Sequence, residues 1–253
     1  MIDTRIVSRL RVIESLAVIP RVASTNLIAR RIVTECIENE LSLPQAMIIA
    51  GEQFAGRGRN DRSWSSPAGK GIYATTLISR PLRELPLLPL AMANIIAAYL
   101  IAEYGVAARI KWPNDILVGG KKIAGILIEA RVQDERVFLL IGTGINVEPV
   151  EDDARPNAVA ISEVAQRGLP DIEAATRTFI EHIDAGFAQP FEREQVLADW
   201  RKLSVHNPGD RIHCVIAERT ISGTWLQIDE HGRAVLETPE GELRVSAGDL
   251  FLA

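Results

Sequence analysis

The sequence predicts an α+β protein, a mixed β-sheet with helices followed by a small C-terminal β domain. Three observations carry that expectation. Aliphatic, β-favouring runs are interspersed with helix-period segments up to about residue 204. From about Val205 only short strand-like runs remain, separated by turn residues. The 253 residues suffice for one large core plus a smaller satellite. The expected division is therefore 1–204 and 205–253.

In chain order, an amphipathic start leads to a short strand-like run, Leu16-Ala17-Val18-Ile19, ended by Pro20. Ser24-Thr25-Asn26 precedes the periodic segment Leu27 to Glu40. Residues of this kind cap helices because a side-chain oxygen accepts an orphan backbone N–H. The same helix start, with its free N–H groups, suits a polar ligand equally well. Met47 to Ala50 predicts a strand that feeds a glycine-rich loop carrying Arg57, Arg59 and Arg62. Guanidinium forks pair with phosphate or carboxylate at two points, and glycine lets the backbone fold around the anion. Turn chemistry follows at Ser65 to Gly71, then a strand at Ile72 to Ile78. Leu85 to Ala102 is strongly apolar but broken by Pro86, Pro89 and Asn94. About a dozen helical residues are left after Pro89, too few to cross a bilayer, so a buried helix is expected.

Arg109 to Ala130 reads as two strands, Ile116–Val118 and Ile123–Ile128, closed by Gly119-Gly120. Lys111, Trp112, Asn114, Asp115, Lys121 and Lys122 hang on this frame. Cations, an amide and a carboxylate around one turn are costly to bury and call for a ligand or ion partner. The Lys121-Lys122 pair taken alone fits a solvated hairpin equally well. Val137 to Ile141 is a buried-type strand ending in Gly142-Thr143-Gly144-Ile145-Asn146-Val147. Glu148 to Pro156 reads as a surface connection, and Ala158–Ala165, Ile172–Phe187 and Glu192–Leu203 as structural helices. Short strands at Arg211–Ala217, Thr224–Ile228, Ala234–Glu237 and Leu243–Ser246 then suggest a small barrel of SH3-like size.

Composition narrows the function. A net charge of −5 argues against a general nucleic-acid binder. Cys36 and Cys214 lie in no metal-ligand spacing and read as reduced core thiols, which suggests the cytoplasm. The N-terminus shows no export signal. Two phosphate motifs are excluded, since the dinucleotide fingerprint would need glycine at Asp61 and the P-loop would need glycine at Trp64. The arginine loop is thus matched to a small anion.

Ser24-Thr25-Asn26, Gln53-x-x-Gly56-Arg57-Gly58-Arg59 with Trp64, Lys111-Trp112-Pro113-Asn114-Asp115, Lys122-x-x-Gly125 and Gly144-Ile145-Asn146 follow in this order. Together they resemble a biotin–protein ligase, of the monofunctional type without an N-terminal DNA-binding domain. The resemblance runs from about residue 16 to the end. It implies a catalytic domain like those of class II aminoacyl-tRNA synthetases and biotin ligases, with an SH3-like C-terminal barrel. It also implies biotin, ATP and Mg2+, and a biotin carboxyl carrier domain as acceptor; members occur as monomers and homodimers. By position, Ser24, Thr25, Asn26, Gln53, Arg57, Gly58, Arg59, Lys122 and Gly125 would hold biotin. Arg59, Arg62, Trp64, Lys111, Asn114 and Asn146 would hold ATP or the adenylate. Lys111, Arg59, Lys122 and Asp115 would be catalytic, Asp115 either orienting Lys111 or holding magnesium. Asp61 stands where the family loop usually has a glycine, and pairing with Arg59 or Arg62 would alter loop closure. No DNA or membrane binding is expected. The rival readings are a lipoate–protein ligase and a non-catalytic biotin sensor.

Overall fold

The computed structural model describes residues 4–60, 62–133, 135–150, 157–168, 171–216 and 219–252. Asp61 and most of the expected acidic connection before Asn157 lie outside them. Seven strands form the main sheet: β1 (Ser15–Val22), β2 (Ala46–Gln53), β3 (Gly71–Pro81), β4 (Arg109–Lys111), β5 (Asp115–Val118), β6 (Lys121–Gln133) and β7 (Arg136–Asn146). Their order is β1-β2-β3-β7-β6-β5-β4. β1 runs parallel to β2 and the other pairs are antiparallel, so the sheet is mixed. β1 continues through Pro20 to Val22 rather than ending there, because an edge strand has no outer ladder for proline to break.

The helices are α1 (Thr25–Glu38), α2 (Leu88–Tyr104), α3 (Ile161–Val164), α4 (Ile172–Phe187) and α5 (Arg193–Leu203). α1 covers one face of the sheet, packing Ala29 and Val33 on Ile48, Leu77 and Leu140. On the other face α2, α4 and α5 build the large core with Leu139, Ile141 and Ile145. The stretch Leu82–Tyr104 is long and apolar enough to cross a membrane by length and composition, and most of α2 is buried inside the molecule. α2 ends at Gly105, whose φ of 66° is the left-handed conformation that closes a helix.

A second, antiparallel sheet holds β8 (Arg211–Ile216), β9 (Arg219–Ile228), β10 (Ala234–Thr238), β11 (Gly241–Val245) and β12 (Asp249–Leu252), in the order β11-β10-β9-β8-β12. Its Ile212, Trp225 and Leu250 belong to the same core cluster as Trp200 of α5. Trp200 and Trp225 stack with centroids 6.3 Å apart.

Four local expectations are corrected. The Arg109–Ala130 stretch holds three strands, because β4 is too short to show a period. The expected Ala158–Ala165 helix shrinks to α3, since residues 157–159 give their backbone to Lys122: Lys122 N donates to Asn157 O at 2.7 Å and Val159 N to Lys122 O at 3.0 Å. β12 was not anticipated and closes on β8. Cys36 is half-buried with its Sγ on Ser42 O at 3.8 Å, outside the core, whereas Cys214 is fully buried and burial pushes its thiol up to about 11.

Candidate active site

A cleft opens on the α1 face of the main sheet, where β6 and β7 carry Gly125, Gly142 and Gly144. A Cβ on Gly142 would lie 2.3 Å from Asn26 Oδ1, and one on Gly144 would lie 2.4 Å from the Trp64 ring. Bare backbone at these two places is what lets Asn26 and Trp64 lie down on the sheet. The cleft spans about 740 Å³ when the open solvent at its mouth is included.

One end of the cleft is the start of α1. Ser24 holds the N-cap position with extended backbone, but its hydroxyl makes no capping bond; it is buried and lines the cleft. Thr25 N donates to Gln53 Oε1 at 2.8 Å, and Gln53 Nε2 donates to Ser66 Oγ at 2.9 Å. Asn26 is held from both sides, accepting from Thr75 Oγ1 at 2.6 Å and donating to Glu129 Oε1 at 3.1 Å. These groups form a compact polar end wall under an otherwise apolar strand floor.

The arginine loop forms the roof. It is a closed hairpin: Trp64 N donates to Gly56 O at 2.9 Å, Gly58 N to Arg62 O at 2.7 Å, and Asn60 takes a φ of 52° at the tip. Arg57, Gly58, Arg59 and Arg62 all line the cleft. Arg59 donates to Asn114 Oδ1 at 2.9 Å and to Gly248 O at 3.1 Å. Arg59 and Arg62 both face the carboxylate of Asp249 in β12, Arg59 Nη1 at 3.8 Å from its Oδ1.

The far wall comes from the β4–β6 hairpins. Gly119 and Gly120 take φ of 57° and 78°, the twist that a two-residue hairpin requires. This turn sets Lys122 beside Asp115, with Nζ at 2.6 Å from Oδ1 and 5.2 Å from the Trp64 ring centroid. Asn114 Nδ2 donates to Ile126 O at 2.6 Å, fixing its oxygen toward Arg59. Lys111 lies behind this wall and is not among the cleft-lining residues; its Nζ stands 4.7 Å over the Phe251 ring. Burial lowers the Lys111 pKa, while Asp115 and Asp249 oppose that shift. Asn146 is also absent from the lining; its Nδ2 donates to Lys122 O and Val159 O, each at 3.2 Å. The other nominated residues, from Ser24 to Gly125, come together in the cleft.

Sequence reading missed Thr75, Glu129 and Asp249. Glu129 was detectable as a lone acid in an aliphatic strand run. Asp249 was not, being 187 residues from Arg62.

A model of the biotin/lipoate A/B protein ligase family matches residues 18–146. The bifunctional ligase/repressor BirA of Bacillus spizizenii is 34% identical over 216 residues, 81% of this chain and 66% of that protein. The chain therefore spans about two thirds of that relative's length. The biotin–[acetyl-CoA-carboxylase] ligase of Paracoccus denitrificans is 30% identical over 81% of this chain and 90% of its own. A biotin protein ligase from Aquifex aeolicus, solved with biotin and ATP, shares the fold at a TM-score of 0.71 and 23% identity, covering 94% of this chain and 98% of that one. The matched segment contains the α1 end wall, the arginine roof and the lysine hairpins, and by it the chain belongs to the biotin/lipoate A/B protein ligase family.

Proposed function

We propose that the chain is an ATP-dependent biotin–protein ligase, with residues 1–204 as catalytic unit and 205–253 as C-terminal unit. The observation that carries this reading is the meeting of a polar end wall, a roof of arginines and the Lys122 hairpin in one cleft. Joining a carboxylate to a triphosphate brings anions together, and cations fixed on both sides lower that repulsion.

In the first step an oxygen of the biotin carboxylate attacks the α-phosphorus of ATP. The new O–P bond forms as the bond to the β-phosphate oxygen breaks, and pyrophosphate leaves. In the second, a neutral lysine amine of a carrier domain attacks the acyl carbon, AMP leaves, and the amine gives its proton to water. Ser24, Thr25, Asn26 and Gln53 hold the head group, and Gly125 leaves room for Trp64 and Lys122, each 2.9 Å from where its Cβ would stand. Arg57, Gly58, Arg59 and Lys122 hold the carboxyl end. Arg59, Arg62, Trp64, Lys111, Asn114 and Asn146 serve the nucleotide half, Trp64 by stacking. No covalent enzyme intermediate is required, because positioning and fixed charge suffice.

Asp115 does not build a resident magnesium site. Its Oδ1 is engaged by Lys122, and no group of three metal-ligating side chains occurs among the described residues. Magnesium belongs to this reading only as part of the MgATP substrate. We assign the reaction to the cytoplasm and the acceptor to a biotin carboxyl carrier domain. Incubation of such a domain with ATP and equal biotin and lipoate, followed by intact mass of the carrier, is expected to show one added biotinyl group. Addition of lipoate instead, or no addition, overturns the assignment.

A further inference from the structure

The pair Arg30–Glu129 lies behind the polar end wall and is not used by the mechanism above. Glu129 Oε2 accepts from Arg30 Nε at 3.1 Å and Nη2 at 2.5 Å, while its Oε1 accepts from Asn26 Nδ2 at 3.1 Å. Asn26 Oδ1 lies 2.6 Å from Thr75 Oγ1, which lies 2.7 Å from Thr25 Oγ1, which lies 3.1 Å from Gln53 Oε1. Thr25, Asn26 and Thr75 are 3%, 4% and 0% exposed, so little water reaches this chain of contacts.

We propose that Arg30 and Glu129 are positioning residues that fix the hydrogen-bond polarity of this chain, and so decide which donor and acceptor the ligand head group meets. A primary amide turned over keeps its shape but exchanges donor for acceptor. Turned over, Asn26 would set its oxygen against the Glu129 carboxylate, acceptor against acceptor. Glu129 therefore holds Nδ2 toward itself and Oδ1 toward Thr75, and Arg30 holds Glu129. A hydroxyl has one proton. That of Thr75 goes to Asn26, which has none to give at Oδ1; that of Thr25 then goes to Thr75 at 2.7 Å in preference to Gln53 Oε1 at 3.1 Å, since two protons serve three oxygen contacts and the longest goes without. Gln53 Oε1 is left with the Thr25 backbone N–H alone and keeps one lone pair, while Asn26 keeps one amide proton. A cyclic urea, with N–H donors beside a carbonyl acceptor, is matched by such a pair. The two ring sulfurs of a dithiolane are not.

The inference rests on the biotin ligase reading, and the experiment separates the two. Biotin-dependent pyrophosphate release is measured for the wild type, Glu129→Gln and Arg30→Gln, with biotin and with desthiobiotin, which keeps the urea but lacks the sulfur ring. In Glu129→Gln the KM for both compounds is expected to rise about tenfold, the worth of one mis-set hydrogen bond, with kcat and the ATP KM within twofold. Arg30→Gln shifts the same KM in the same direction by less, and reports on the relay should Glu129→Gln fail to fold. An unchanged KM for biotin, a rise for biotin without one for desthiobiotin, or equal losses toward ATP each overturn the relay. No pyrophosphate from the wild type with biotin and ATP overturns the ligase reading, and this inference with it.

Discussion

Lys111 and His206 illustrate how single residues behind the hairpin wall are tuned by burial. Lys111 sits against an aromatic ring with its pKa lowered by lost hydration, so its charge acts in a medium that screens it weakly. Replacing it by alanine is expected to slow adenylate formation about a hundredfold, on the scale of a lost transition-state charge donor. Biotin affinity by calorimetry should change little, and undiminished pyrophosphate release would remove the role. His206 accepts the backbone N–H of the neighbouring Trp112 at 3.2 Å and stacks on Trp225 at 4.6 Å. Burial first, and then the Lys111 charge, pull its pKa from 6.5 down to about 4. The folded protein thus keeps this ring neutral, while the unfolded chain protonates it near 6.5. Stability fully present above that pH is lost as pH falls toward 4, on the order of 3 kcal/mol in total. The melting temperature should drop more steeply from pH 7 to 5 in the wild type than in His206→Gln. Equal slopes would show that the ring does not carry the effect. Ser24, Thr25 and Asn26 were legible as a polar helix start and Gln53 joined them through the family resemblance, but the role of His206 was not legible, because its partners come from distant elements.

β7 is the element on which the site rests. Its centre packs Leu139, Ile141 and Ile145 against the large core, while Gly142 and Gly144 leave the opposite face bare for Asn26 and Trp64. Gly142→Ala puts a methyl where Asn26 Oδ1 stands and is expected to raise the biotin KM at least tenfold. A variant with wild-type KM would show that Asn26 is free to move aside. Long elements were readable from pattern: the β5–β6 hairpin from its glycine pair, and α4 from its apolar period, its start at Asp171 sealed by a 2.8 Å bond to Ala174 N. Short ones were not. β4 and β12 exist because neighbours offer ladders, and α3 is short because β6 takes the residues before it.

Across the whole molecule, the second sheet reaches into the cleft. Asp249 of β12 faces Arg59 and Arg62, Asn60 Nδ2 donates to it at 3.3 Å, and Gly248 O accepts from Arg59. The arginine roof is thereby tied to the second sheet. Asp249→Asn should release it, and without nucleotide the variant is expected to be cut by trypsin at Arg59 and Arg62 several times faster than the wild type. Equal cleavage rates would mean that the loop is held by its own hairpin. At the other end of the chain, Asp184 of α4 accepts the N–H groups of Arg11, Val12 and Ile13, each at 2.8 Å, and pins the segment entering β1.

By itself the sequence determined the mixed α+β character and the separate run of C-terminal strands, and its resemblance to a ligase family named thirteen of the residues that line the cleft. Those signals are local, since period and turn residues, like the short motifs that carry the resemblance, are written within a few positions of one another. Tertiary structure alone decided that Asp249 meets the arginines, that Glu129 and Arg30 back Asn26, and that Lys111 stands behind the wall with His206 beneath its strand. Such contacts join residues separated by much of the chain, and their energy exists only once both sheets have closed on one shared core.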